Sequence, residues 1–224
     1  MHRGAWRGTL VWAALALVAP LAGCARVRPP VTGMSAPCPE PGAARWDEDA
    51  LIEGAIPVGL VVPGEAGARW RTEGRAIVAR ALAAWGEAGL PMRLRLAAEG
   101  EAARIQVHVV RRLPADARGA WSAYRAGVTQ LVQDAAGGIH GAEVFVAEQA
   151  PSGRWYGPAD QDATLLHELG HALGLPHAGS AFAIMAAVNT ATALTPMDVR
   201  LARRTYAPGA CGGAAPQVAA PDAP

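Results

Sequence analysis

Three of the six histidines in this 224-residue chain lie within eleven residues, at positions 167, 171 and 177. Histidine is the commonest metal-ligating side chain and titrates near neutral pH, so such a cluster has little use in packing alone. His167 and His171 are four residues apart, which on a helix places both imidazoles on one face, within reach of one ion. The spacing therefore predicts a metal site.

Gly174 explains how His177 can supply a third ligand. If the helix continued past Leu173, residue 177 would be poorly placed to bind the same ion. Glycine can adopt a positive φ, end the helix and turn the chain back below the ion. Pro176 reinforces the break. Three neutral imidazoles with one open coordination position are what a catalytic zinc site requires, whereas a structural zinc domain needs a fourth protein ligand, which the motif does not offer.

Five runs of alternating or continuous apolar residues predict β-strands, and another stretch has its apolar residues at helical spacing. The predicted strands are 56–62, 92–96, 104–110, 127–134 and 142–148. The predicted helix contains Trp70 and Trp85 and ends before Gly89. The turn signal Gly137-Gly138 between the last two strands favours a hairpin.

Two further helices follow the last strand, and the first of them carries the histidines. An acidic first turn after Pro158 predicts this helix over about 160–173. Residues 194–206 predict a short C-terminal helix, with Thr195 as N-cap and Asp198 returning a side-chain bond. The order of elements favours an α+β domain with a mixed, twisted β-sheet, a long first helix, an active-site helix and a short C-terminal helix.

Composition and charge favour one globular domain, which we place at 46–206. The chain is 51% hydrophobic and has a formal net charge of +1, and its length suits a single monomeric domain. Twenty basic residues are matched by nineteen acidic ones without a basic block, which argues against a nucleic-acid partner. The flanking segments 24–45 and 207–224 are rich in Pro, Gly and Ala and predict a flexible tether and a flexible tail.

The N-terminus has the pattern of an export signal. A basic start precedes an apolar run at 10–21, which is short for a membrane span but typical of a signal peptide. The run ends in Leu21-Ala22-Gly23-Cys24, which resembles the lipobox of bacterial lipoproteins. The resemblance implies a signal peptide at 1–23 and a lipid on Cys24, anchoring an exported protein to the bacterial cell envelope, at the outer membrane if the cell has one. An ordinary secretory signal with an incidental cysteine is the alternative.

The stretch from His167 to His177, HELGHALGLPH, resembles the extended zinc motif of the metzincin metallopeptidases. Ala183-Ile184-Met185-Ala186 lies where that family has its Met-turn, and the step from His177 to Met185 resembles the spacing of the matrixin branch. The resemblance implies a metzincin or zincin-like fold over roughly 46–206 and one catalytic Zn²⁺ on the three histidines. It also implies that Met185 forms an apolar floor beneath the metal.

The function implied by this resemblance is that of a zinc metalloendopeptidase acting on a protein or peptide substrate. Zinc lowers the pKa of a bound water and polarises a carbonyl oxygen, while Glu168 takes the proton of the water as general base and passes it to the departing amine. The alternative is a non-catalytic lipoprotein with a metzincin fold that acts as a binding scaffold. Replacement of the glutamate would favour that alternative, but Glu168 is intact.

Several features depart from the family pattern. In matrixins the Met is usually followed by Tyr, and a Pro-x-Tyr segment forms a wall of the substrate pocket. Met185 is followed here by alanines, so the family's preference for particular substrate side chains cannot be carried over. Ala187 stands where astacin- and serralysin-like members have a tyrosine ligand, which disfavours that branch. The His-x-Asp segment of a second, structural zinc is missing, a calcium site is possible but unsupported, and His108 and His140 receive no role.

Cys38 and Cys211 lie on either side of the predicted domain. In an oxidising compartment such a pair is most simply a disulfide joining the two ends, worth about 2–4 kcal/mol. In the alternative, the Cys38 thiolate caps the metal and keeps the enzyme latent, but its surroundings do not match the expected latency motif.

Overall fold

The computed structural model describes residues 45–46, 54–113, 126–135, 137–188 and 190–206. The strands are β1 Arg45–Trp46, β2 Ala55–Val61, β3 Arg93–Leu96, β4 Ile105–Val110, β5 Gly127–Gln133 and β6 Gly138–Ala147. The helices are α1 Ala68–Gly86, α2 Pro158–Ala172 and α3 Pro196–Tyr206. The predicted signal peptide, the lipidation of Cys24, the pairing of Cys38 with Cys211 and the flexible C-terminal tail fall on residues outside the described ranges, so they stay predictions.

The strands form one mostly parallel sheet. Strands β3, β2, β4 and β6 are neighbours in that order and run parallel, the two-residue strand β1 also pairs in parallel with β6, and β5 is antiparallel to β6. The predicted α+β class and mixed sheet are confirmed, and so are the three helices within the described ranges. No helix among the described residues is long and apolar enough to cross a membrane.

The predicted hairpin is confirmed, but its second strand begins earlier than the sequence suggests. Gly138 is the first residue of β6 and is not part of the turn, because the turn ends at Gly137. The Asp134 carboxylate accepts a hydrogen bond of 2.8 Å from the Gly138 N–H, and Gly137 takes the positive φ of 90° that the turn requires. The additional residues of β6 gain backbone partners in β1 and β5.

Helices α1 and α2 pack against the sheet and against each other, and indole hydrogen bonds tie them together. The buried residues of α1 recur at helical spacing, as predicted; they are Trp70, Gly74, Ile77, Val78, Ala81, Leu82 and Trp85. The Trp85 indole N–H donates to the Leu166 carbonyl at 3.0 Å, and that of Trp70 donates to Gln161 Oε1 at 2.7 Å. Both bonds satisfy buried polar groups while the rings fill the core. They therefore hold α2 against α1 at two points along its length.

The C-terminal end of α2 is held by residues from both ends of the domain. The Trp46 indole donates to the Ala172 carbonyl at 3.0 Å, and the Tyr206 hydroxyl donates to the Leu173 carbonyl at 2.7 Å. These bonds satisfy carbonyls that a helix terminus otherwise leaves without partners. Burial raises the pKa of Tyr206 to about 12, so its hydroxyl remains a donor even in alkaline solution.

Candidate metal centre

The three clustered histidines bring their Nε2 atoms together at one point. The Nε2 atom of His171 lies 3.0 Å from that of His167 and 3.1 Å from that of His177. Two nitrogen ligands at about 2.05 Å from a tetrahedral ion are about 3.3 Å apart, so the observed spacing fits a shared ion. Among the described residues, this is the only group of three or more His, Cys, Asp or Glu placed to hold a metal.

Backbone carbonyls set the protonation of two of these rings. The Nδ1 atom of His167 lies 2.7 Å from the Ile184 carbonyl oxygen, and that of His171 lies 2.8 Å from the Leu175 carbonyl oxygen. A carbonyl only accepts, so each Nδ1 carries the proton and donates, which leaves the Nε2 lone pair for a metal. The second carbonyl belongs to the turn that ends α2, so the helix terminus and the ligand orientation are built together.

Burial also favours the neutral, metal-binding form of His167 and His177. Burial lowers the pKa of His167 below its ordinary value, against opposing effects of the Ile184 carbonyl and the Asp198 charge. The pKa of His177 is lowered as well, first by burial and then by repulsion from His167. A neutral imidazole is the state that binds a metal ion, so the site is prepared for one at neutral pH.

The turn that delivers His177 has the predicted geometry. Gly174 has a φ of 79°, its N–H donates to the His171 carbonyl at 2.8 Å, and the Leu175 N–H donates to the Gly170 carbonyl at 3.0 Å. These two bonds form the Schellman motif, in which a left-handed residue ends a helix. The predicted positive φ at Gly174 is therefore confirmed, and it reverses the chain towards the cluster.

Met185 packs against α2 at a glycine between the first two histidines. It is fully buried, and a Cβ atom at Gly170 would collide with the Met185 Sδ atom and lie 2.9 Å from Trp85 Cζ2. Only glycine at position 170 lets the Met185 loop and α1 approach α2 this closely. Gly170 belongs to the histidine motif in the sequence. Its contact, however, brings α2 together with α1 and the Met185 loop, which are distant from it along the chain.

Glu168 directly follows His167 on α2 and is not one of the grouped ligands. Its side chain is buried, and its Oε2 atom accepts a hydrogen bond of 2.7 Å from the Thr129 hydroxyl of β5. The assignment of Glu168 as general base stays a prediction. The partner in β5 is not foreseen from the sequence.

A buried carboxylate, Asp198, fixes the loop behind the histidines. It is fully buried and accepts four hydrogen bonds: from the N–H groups of Ile184 (3.1 Å), Met185 (2.9 Å) and Thr195 (2.8 Å), and from the Thr195 hydroxyl (2.7 Å). The predicted helix cap at Thr195 is therefore confirmed, whereas the two bonds to the Met185 loop are new. Because the Ile184 carbonyl accepts from His167, one peptide unit connects Asp198 to the metal centre.

We expect Asp198→Asn to destabilise the fold and to weaken metal binding. The amide presents a donor where the carboxylate accepts, so at least one buried N–H loses its partner, at a cost of about 1–3 kcal/mol. Loss of a direct hydrogen-bond partner of a metal ligand typically costs about 10–100-fold in metal affinity or activity. Asp198 acts on His167 through the Ile184–Met185 peptide, so we expect a smaller loss of zinc affinity. Denaturant unfolding of the metal-free protein and a zinc titration measure the two effects.

Asp162→Asn is the matched control for this change. Asp162 pairs with Arg69 at the surface, so we expect a loss of at most about 1 kcal/mol and an unchanged zinc affinity. Wild-type zinc affinity in Asp198→Asn would show that Asp198 supports the fold without acting on His167.

His108 and His140 lie outside the cluster and pair with carboxylates instead. His108 pairs with Glu143 and stacks on Phe145, with ring centroids 4.9 Å apart. His140 Nε2 lies 3.2 Å from Asp134 Oδ2. Neither is brought near the three convergent Nε2 atoms.

No protein-family model matches this chain, and no curated protein matches it either. Any function assigned to the chain therefore rests on its own residues and their geometry. Those residues form a candidate metal site of three histidines.

Proposed function

We propose that this protein is a zinc-dependent endopeptidase of the metzincin type, similar to the matrixins. The observation that carries the proposal is the convergence of three Nε2 atoms, with that of His171 3.0 and 3.1 Å from the other two. The buried Glu168 follows the first of these histidines directly in the chain. Three imidazoles leave one coordination position of a tetrahedral zinc open, which distinguishes a catalytic site from a structural one. The order of strands and helices is compatible with this family.

The donor set fits zinc. Neutral imidazole is a preferred ligand of this ion, and the two rings whose Nδ1 atoms donate to carbonyls have their Nε2 atoms committed to the shared point. When bound to His167, His171 and His177, zinc supplies a Lewis acid that makes water more acidic and polarises a carbonyl oxygen.

Glu168 supplies the proton transfer. Its carboxylate accepts the proton of the attacking water and then donates it to the nitrogen of the departing amine, so that one group serves both halves of peptide-bond hydrolysis. Its place on α2, one residue after the first ligand, keeps it near the site without occupying a coordination position. The hydrogen bond from Thr129 limits the orientations of the carboxylate.

The edge strand β5 favours a polypeptide as substrate. β5 pairs only with β6 within the described residues, so none of the described strands covers the backbone N–H and C=O groups of its other edge. An extended peptide can add to such an edge as a further strand. Thr129 of β5 contacts Glu168, so a peptide bound along this edge lies beside the proposed general base, and cleavage within a chain is the expected outcome.

Proteolysis of an unfolded protein mixture by the purified protein tests the proposal. We expect new internal termini, detected by mass spectrometry, to disappear on treatment with a zinc chelator and to return when about one equivalent of Zn²⁺ is restored. Tight zinc binding without cleavage would favour the binding scaffold over the peptidase. Failure to bind zinc at all would contradict the metal centre itself.

A further inference from the structure

Strand β5 contacts Glu168 through a hydroxyl group that has no other described partner. The Thr129 Oγ1 atom lies 2.7 Å from Glu168 Oε2 and 2.9 Å from the Glu168 backbone oxygen. Both of its hydrogen bonds in the described structure therefore go to one residue. A hydroxyl has a single proton to donate, and the bond to a carboxylate is the stronger of the two because the acceptor is charged.

A second residue of β5 provides the space that the Glu168 side chain occupies. A Cβ atom at Gly127 would lie 2.5 Å from Glu168 Cγ and 2.7 Å from Glu168 Oε1. Real Cβ atoms do not approach other atoms so closely, so any side chain at position 127 would displace the glutamate. Gly127 and Thr129 are two residues apart on a strand and therefore face the same side of it.

We infer that Thr129 is a positioning residue for Glu168, holding the carboxylate in the orientation that proton transfer requires, while Gly127 leaves room for that orientation. The inference rests on the proposed function. A glutamate side chain has several rotamers. Misplacement of a catalytic group by about 1 Å strongly lowers the reaction rate, so efficient proton transfer requires that one orientation be held. The hydrogen bond from Thr129 selects one orientation of the Glu168 carboxylate. The close packing at Gly127 excludes neighbouring orientations.

Two substitutions at position 129 separate the hydroxyl from the shape of the side chain. Thr129→Val keeps the branched shape and removes the hydrogen bond, whereas Thr129→Ser keeps the hydroxyl. In the zinc-loaded protein we expect Thr129→Val to lower kcat by about 10–100-fold, because misplacement of a catalytic group by about 1 Å can cost about 100-fold in rate. We expect KM to stay within about twofold and zinc content to be unchanged. Thr129→Ser should retain kcat within about threefold.

Thr72→Val is the matched control, because the Thr72 hydroxyl is exposed and bonds only to carbonyls of its own helix. We expect its kcat to equal that of the wild type. If Thr129→Val has the kcat of the wild type, or if Thr129→Ser is as impaired as Thr129→Val, the positioning role is wrong.

A measurement on the metal-free protein tests the contact independently of activity. We compare the thermal midpoints of the wild type, Thr129→Val, Glu168→Ala and the double variant. Thr129→Val should lower the midpoint by about 2–6 °C in the wild-type background and by much less when Glu168 is absent, because the two residues are then uncoupled. Additive shifts would overturn the inference. If the wild type cleaves no peptide bond, the proposed function fails, whereas this cycle still decides whether Thr129 holds Glu168.

Discussion

Glu168→Gln is expected to abolish peptide-bond hydrolysis while leaving zinc binding intact. The amide has the shape of the carboxylate, and its oxygen can still accept the hydrogen bond from Thr129, but it cannot take a proton from water. General acid–base groups contribute about 10²–10⁴-fold to rate, so we expect kcat to fall by about that factor. The measurement is kcat on an unfolded protein substrate, together with zinc content by elemental analysis.

Glu143→Gln makes the same chemical change away from the site. Glu143 pairs with His108 on the sheet and does not belong to the metal cluster, so we expect wild-type kcat and zinc content. Full activity of Glu168→Gln would refute Glu168 as the general base. Loss of zinc from Glu168→Gln would show instead that this side chain shapes the metal site.

His171→Ala is expected to remove the metal and, with it, the activity. Of the three rings, His171 is the one whose Nε2 atom has both others within 3.1 Å, so its loss leaves two ligands for a cation that needs three from the protein. Loss of a hydrogen-bond partner of a metal ligand costs up to roughly 100-fold in metal affinity. Loss of the ligand itself should lower zinc affinity by more than that. Zinc titration of the variant, with circular dichroism to verify folding, measures the effect.

His140→Ala serves as the control for His171→Ala. His140 contacts Asp134 near the hairpin turn and should leave zinc affinity unchanged. Wild-type affinity in a folded His171→Ala protein would mean that the convergence of the three rings does not bind zinc.

Local signals explain what the sequence predicts correctly. The apolar spacing of α1, the proline at the start of α2 and the glycine after it each act within one or two turns of chain, so they can be recognised without knowing the rest of the fold. The same holds for the histidine spacing on α2, since helix geometry alone places positions 167 and 171 on one face.

Contacts between distant segments explain what the sequence does not reveal. The hydrogen bond from Thr129 to Glu168 spans 39 residues, and nothing in the alternation of β5 distinguishes Thr129 from any other strand threonine. Asp198 is predicted as a helix cap because Thr195 is close in sequence. Its bonds to the N–H groups of Ile184 and Met185 depend on how α3 docks, which local pattern does not determine.

The connection from Asp198 through the Ile184 peptide to His167 has a consequence for biosynthesis. The Ile184 carbonyl that orients His167 lies 17 residues downstream of it, and Asp198 lies a further 14 residues along. A chain is made from its N-terminus, so His167 is synthesised before the residues that orient it. We expect metal capture to be among the last events of maturation, so that a newly made chain has no complete metal site until α3 has docked.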